Sequence, residues 1–289
     1  MNRVKEGACQ IAAGGSAGLV EVCLMQPLDV VKTRLQIVGA DSGMASCIRN
    51  TYKNEGMLGF YKGILPPVLA ETPKRATKFF TFEQYKIALT HPDIPIPMTF
   101  SIAGMLSGCT EGIIVCPFEL VKIRQQAERN VKFSEQRSSA AMVREVIRTE
   151  GYGTNGIYRG LTATLARNGT WNMVYFGLYH TAKDYIPPAK ESHAKNLIAR
   201  IFLGFLAGSL ASVANIPFDV AKSRIQGPQP VKGQRKYHST LQSLGLIYKE
   251  EGVAALYRGL LPKVMRLGPG GAVMLIVYEN VYGYLKQFV

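Results

Sequence analysis

Apolar residues fall in long stretches with helical spacing, each interrupted by one or a few charges, and nowhere in the strict alternation of a half-buried strand. The run from Gly14 to Gln36 carries no turn chemistry except Pro27, and its 23 residues span about 34 Å, close to the ~30 Å of a bilayer core. Segments 98–126 and 198–226 follow the same pattern, and second long helices are predicted over 64–88, 161–185 and 261–285. None of the six holds 18 apolar residues in a row. On hydropathy alone, a soluble basic helical repeat protein stands beside a membrane bundle. Helices with one face against a water-filled path should be this polar.

Self-comparison comes next. The stretch Pro27-Leu28-Asp29-Val30-Val31-Lys32-Thr33-Arg34-Leu35-Gln36 recurs with the same charge pattern from Pro117 to Gln126 and from Pro217 to Gln226. A GxxxG precedes each proline by thirteen residues: Gly14/Gly18, Gly104/Gly108 and Gly204/Gly208. Downstream come an acid–Gly pair and an aromatic–base–Gly triplet: Glu55-Gly56 with Tyr61-Lys62-Gly63, Glu150-Gly151 with Tyr158-Arg159-Gly160, and Glu251-Gly252 with Tyr257-Arg258-Gly259. The second unit has two extra residues between these halves. The chain is read as three tandem repeats, 1–97, 98–197 and 198–289, each of two long helices. The GxxxG pairs favour close helix contact in a membrane. The long connections with their triplet bases hold fourteen Lys/Arg, the two short ones only Lys190 and Lys195. That is a topology signal, placing both termini on the short-loop side.

Composition narrows the function classes. The 289 residues carry 34 Lys+Arg against 20 Asp+Glu, a net charge of +14, with 47% hydrophobic and 19% charged residues. The apolar content excludes a mainly disordered chain, and Gly without a period excludes collagen. The five cysteines form no CxxC and the four histidines are scattered, so no metal site is expected and the thiols are read as reduced. There is no phosphate-binding GxxxxGK[ST] loop and no nucleophile elbow, so neither enzyme chemistry nor a cofactor is expected. The basic residues follow loop topology and form no single aromatic-flanked face, which argues against nucleic acid. An anionic small molecule or an anionic lipid is the partner this charge suits.

The threefold Pro-x-acid-x-x-base, acid–Gly and aromatic–base–Gly signature resembles the mitochondrial carrier family over nearly the whole chain. The resemblance implies a pseudo-threefold barrel of six transmembrane helices around a central water-filled cavity, an all-α membrane protein of the inner mitochondrial membrane. It also implies alternating access, termini toward the intermembrane space, long loops toward the matrix, cardiolipin at the matrix side, and action as a monomer. Residues 1–9 are too short for a transit peptide, so targeting would be internal.

The gates can be argued from the residues. Pro27, Pro117 and Pro217 each remove a backbone hydrogen bond and kink a helix, so the odd helices can converge. There Asp29, Glu119 and Asp219 lie three residues before Lys32, Lys122 and Lys222, on one face. A threefold ring pairs Asp29–Lys122, Glu119–Lys222 and Asp219–Lys32, closing the matrix gate. The resemblance implies that Gln36, Gln126 and Gln226 brace these pairs. On the opposite side it implies a second ring of Glu83, Lys86, His180, Lys183, Glu279 and Tyr282. It would hold the pairs Glu83–Lys183 and Glu279–Lys86, while His180 faces Tyr282, leaving this gate the weaker.

Residues that break the threefold are candidates for the cargo. Mid-helix cations Lys74, Arg75, Lys78, Arg167 and Arg266 exceed Glu21, Glu71 and Glu111 by two. Lys74 or Arg75 is expected to snorkel, whereas Arg167 and Arg266 suit the carboxylates of a dicarboxylate. The resemblance places contact points at Ala70-Glu71, Arg167-Asn168 and Arg266, with Lys78 as a further cation. Arg followed by Asn is the family's keto-acid pattern, with Asn168 donating to the keto oxygen. It implies exchange of 2-oxoadipate and 2-oxoglutarate, with citrate or another carboxylate as the alternative. A proton leak through Glu21 and Glu111 is the reading from another class. Glu71 departs from the pattern, and is expected to hold Lys78 or to couple a proton.

Overall fold

The computed structural model describes residues 2–37, 43–91, 94–182, 193–230 and 234–286, and their side chains apart from 2–8, 10, 11 and 193–198. Six long helices dominate: α1 (Asn2–Gln36), α3 (Leu65–Leu89), α4 (Ile96–Ala127), α6 (Leu161–Ala182), α7 (His193–Gln226) and α10 (Leu260–Lys286). Pro27, Pro117 and Pro217 lie inside α1, α4 and α7 without ending them. The long connections are not plain loops. They hold three twelve-residue helices, α2 (Met44–Glu55), α5 (Ser139–Glu150) and α8 (Thr240–Glu251), and a short α9 (Val253–Leu256). The two-helix reading of each repeat missed α2, α5 and α8.

Their limits follow from local chemistry. Ser138 and Ser239 cap α5 and α8 by accepting from Ala141 N and Gln242 N. Each short helix stops at the glycine of the acid–Gly pair, where φ is 74°, 85° and 81° at Gly56, Gly151 and Gly252. These are left-handed values that a Cβ disfavours.

The long helices close a ring in the order α1, α3, α4, α6, α7, α10, with broad contact at the three joins between repeats, α3–α4, α6–α7 and α10–α1. Within repeats the packing is unequal. The second repeat is tight, for a Cβ on Gly108 would lie 2.7 Å from Asn168 O and one on Gly104 3.1 Å from Asn172 O. Elsewhere the GxxxG expectation holds only in part: Gly14 has nothing within 4 Å while Gly18 is close to side chains of α3, and Gly204 and Gly208 meet their neighbours only at 3.6–3.8 Å. There α1/α3 and α7/α10 stand further apart.

Three hydrophobic clusters, one per repeat, sit where odd helices meet the short helices: around Val31, Leu35, Cys47 and Phe60; around Leu120, Val146 and Ile157; and around Val220, Ile225 and Ile247. Large apolar side chains such as Leu24, Phe80, Phe202 and Ile276 face outward. Three stretches, Ile96–Ala127, Ala199–Gln226 and Val253–Lys286, are long and apolar enough to cross a membrane. Asp29 and Lys32 of α1, Glu71 and Lys74 of α3 and Arg167 of α6 line a central cavity.

Candidate functional site

At the long-loop end α1, α4 and α7 bring three ion pairs into a ring: Lys122–Asp29 at 2.7 Å, Lys222–Glu119 at 2.5 Å and Lys32–Asp219 at 2.9 Å. A cavity of about 150 Å³ lies against it, lined by these residues together with Ala70, Glu71, Lys74, Arg167 and Arg266.

The even helices add a second tier of cations. Arg266 of α10 grips both oxygens of Asp29 at 2.8 and 3.0 Å and donates to Glu21 at 3.0 Å. Arg167 of α6 pairs with Glu119 at 2.8 Å, lies 3.7 Å from Asp219, and donates to Asn168 Oδ1 at 2.5 Å. Lys263, which the sequence reading overlooked, pairs with Asp219 at 2.6 Å and with Asn215. Its signal was available, because the equivalent positions hold Pro67 and Thr164.

One wall of the cavity is a chain of charges. Beyond Arg266, Glu21 pairs with Arg75 at 3.1 Å, Arg75 with Glu71, and Glu71 with Lys74 at 3.6 Å. Arg75 thus turns inward and does not snorkel, and Glu71 holds Arg75 and Lys74, not Lys78. Gly18 permits this approach, since a Cβ there would meet Glu71 and Arg75 at 2.9 Å. Lys78 makes no ion pair among the described residues; its ammonium lies 5.3 Å from the Trp171 ring and 5.8 Å from that of Phe176. Trp171, Tyr175 and Tyr179 stack at 4.8 and 6.0 Å along α6. Glu111 is buried with Oε2 unbonded. Asn168 is also buried, packed toward α4 beside Gly112, with Nδ2 unbonded. Among the described residues, nine cations (Lys32, Lys74, Arg75, Lys78, Lys122, Arg167, Lys222, Lys263 and Arg266) face six carboxylates here. The excess of three positive charges makes this an anion site.

Two expectations are corrected. First, the glutamines do not bond the ring pairs. Gln226 donates to Arg159 O at 3.0 Å and Gln36 to Arg258 O at 3.3 Å, while buried Gln126 packs against Gly63 with its amide unbonded. Each reaches instead the aromatic–base–Gly turn of another repeat, where Gly63, Gly160 and Gly259 at φ 64°, 75° and 82° leave room that a Cβ would take. Second, Glu279–Lys86 is not formed. Lys86 pairs with Glu83 on its own helix, and Glu279 is exposed with no ion pair among the described residues. His180 lies tilted against Phe100 with ring centroids 3.6 Å apart, and Tyr282 stacks on Tyr278 at 5.7 Å. Lys183 lies outside the described residues. Among the described residues the first ring shows its three pairs, and the ion pair described at the second, Lys86–Glu83, stays within one helix.

A further threefold network ties the short helices down. Arg34 and Lys62 hold Glu55 at 2.8 and 2.7 Å; Arg124 and Arg159 hold Glu150 at 2.7 and 3.3 Å; Arg224 and Arg258 hold Glu251 at 2.6 and 2.7 Å. The sequence reading saw these residues as signature and gave them no contacts. Burial alone would raise the Glu55 carboxyl, yet the hydrogen bonds from Arg34 and Lys62 hold it below the usual value. The hydrogen bond from Arg224 does the same for Glu251.

Comparison with known proteins accords with this geometry. The family described as Mitochondrial carrier protein matches residues 5–93, 97–190 and 193–288. The chain is 55% identical to the mitochondrial 2-oxodicarboxylate carrier of Homo sapiens, covering 98% of this chain and 96% of that one. It is 38% identical to mitochondrial 2-oxodicarboxylate carrier 2 of Saccharomyces cerevisiae, and 38% identical to mitochondrial citrate transporter D of Aspergillus niger, each over 96% and 94% of the two chains.

Proposed function

The chain belongs to the mitochondrial carrier family, and from that premise we propose that it exchanges 2-oxodicarboxylates, 2-oxoadipate and 2-oxoglutarate, across the inner mitochondrial membrane. Its termini face the intermembrane space in this reading, and the Lys32–Asp219 ring is the matrix gate. The observation that carries the proposal is the pairing of Arg167 and Arg266 with the ring acids Glu119 and Asp29 at the edge of an electropositive cavity.

An arriving dianion meets Lys78 first, the inward cation with no ion pair among the described residues. Its carboxylates then compete for Arg167 and Arg266, where planar guanidinium forks bind them bidentately. Each arginine captured by substrate leaves a ring acid with fewer cations, so binding and gate opening share the same bonds. A ligand shifts a two-state equilibrium only through differential affinity, and this exchange of partners supplies it. Asn168, withdrawn toward α4, holds the Arg167 guanidinium in place and does not itself meet the keto group. The names of the human and yeast relatives support the oxoacid reading over a tricarboxylate.

The test is counter-exchange in proteoliposomes loaded with 2-oxoglutarate. Arg167→Ala should abolish uptake while the protein remains folded, and Asn168→Ala should slow oxoacids and plain dicarboxylates alike. Full exchange by Arg167→Ala would remove it from the site. Preference for citrate over oxoacids in the wild-type protein would overturn the substrate assignment, and proton flux without exchange would favour a leak.

A further inference from the structure

A cavity of about 630 Å³ opens on the long-loop face, away from the central path, between the second and third repeats. Its walls include Arg124, Arg137, Arg159 and Glu150 from the second repeat and Arg235 from the third. At the other two joins an arginine crosses between repeats. Arg34 donates to Gln126 O at 3.0 Å and Glu128 O at 3.3 Å, and Arg224 to Gln36 O at 2.6 Å; both are almost fully buried. Arg124, their equivalent, crosses to no other repeat among the described residues and bonds Glu150. The two extra residues of the second repeat lie here, and Asn155 among them takes Arg235 by its side chain and carbonyl at 3.0 and 2.5 Å.

The cavity is short of negative charge. Glu150 is shared by Arg124 at 2.7 Å, Arg159 at 3.3 Å and Arg235 at 3.7 Å, while Arg137 pairs with Glu145 and lies 3.6 Å from Glu128. Arg159 is 6% exposed, and its Nη2 has no partner. Burial pushes this guanidinium below its usual value even against Glu150, and Arg235 and Arg124 add to the push. Buried donors normally find acceptors. A phosphate offers enough oxygens to satisfy several guanidinium forks at once, which a carboxylate already surrounded by three arginines does not. The volume suits a small organic phosphate.

We propose that this cavity binds a phosphate-bearing polyanion from the long-loop side, and that its occupant clasps the second repeat to the third. The clasp stabilises the form in which the ring at this end is closed. A soluble phosphate ester and a phospholipid headgroup share the chemistry, so the test separates them.

Full-length protein in neutral-lipid nanodiscs is heated with pyrophosphate, or with chloride at equal ionic strength. Pyrophosphate should raise the unfolding temperature, and Arg235→Gln and Arg137→Gln should each weaken its apparent affinity roughly tenfold. Both variants should keep wild-type oxoacid exchange without pyrophosphate, which keeps this test separate from that of the transport site. Nanodiscs containing cardiolipin and no soluble phosphate form the second arm. Stabilisation there that Arg235→Gln removes assigns the phosphate to the lipid, and stabilisation by pyrophosphate alone assigns it to the aqueous phase. No shift beyond chloride in either arm, or shifts untouched in both variants, would overturn the proposal.

Discussion

Arg167, Arg266 and Ala70 each lie seven residues beyond the glycine of their aromatic–base–Gly triplet. Threefold symmetry would give three arginines here, and the first repeat instead brings its charge one turn on, at Glu71, Lys74 and Arg75. The cations so placed differ in what their removal leaves behind. Arg266 holds Asp29 and Glu21, so Arg266→Ala leaves Asp29 to Lys122 alone and Glu21 to Arg75 alone and should cost about 1–2 kcal/mol of stability as well as transport. Lys78 makes no ion pair among the described residues. Lys78→Ala should raise the KM for oxoacids about tenfold through one lost charge-assisted contact, with the unfolding temperature unchanged. Uptake kinetics and thermal unfolding on the same preparations read both effects. Equal destabilisation by the two substitutions would assign Lys78 a structural partner.

The short helices α2, α5 and α8 are the elements that lock the long-loop end. Each closes on a glutamate, Glu55, Glu150 or Glu251, held by one base from an odd long helix and one from the following triplet. The glutamate thereby ties its helix to the long helices on both sides. Glu55 and Glu251 are held below the usual carboxylate value. A group depressed in this way contributes stability that is present above its unfolded value, about 4.3 for Glu, and lost as pH falls through the folded value. The unfolding temperature should therefore be level from pH 8 to 6 and fall below about pH 4.3. Glu251→Gln should lower it at pH 7 and make the acid fall shallower. An acid slope identical to wild type would mean that Glu251 carries none of it.

Over the whole molecule, the two ends are unequal. Three pairs cross between α1, α4 and α7 at one end, whereas at the other the described ion pair, Glu83–Lys86, stays within α3. The weaker end lacks an acid at His180 and a base at Tyr282. Supplying both, by His180→Asp with Tyr282→Lys, should add about one exposed pair's worth of closure, ~0–1 kcal/mol. That moves the resting population toward the form open at the long-loop end. Cysteine probes above and below the Arg167 tier, labelled from each side of proteoliposomes, report the shift. Accessibility unchanged from both sides would disprove the pairing assigned to His180 and Tyr282.

The chain by itself determined the repeat, the six long helices and the ring. A threefold Pro-x-acid-x-x-base can put its charges on one face of each helix in only one way, and symmetry then names the partners of Asp29, Glu119 and Asp219. Arg167 and Arg266 were legible because they break that symmetry. Lys263 broke it too, but nothing in its neighbours along the chain marks it as facing Asp219. The long-range partners were decided by tertiary structure alone: Arg75 with Glu21, Arg266 with Asp29, the glutamines with the turns at Gly160 and Gly259, and the gap that Arg124 leaves. Helical periodicity fixes the face on which a side chain stands, within one element. Which group it meets across the barrel depends on how closely two helices approach, and that distance is set by glycines, prolines and inserted residues far away in the chain.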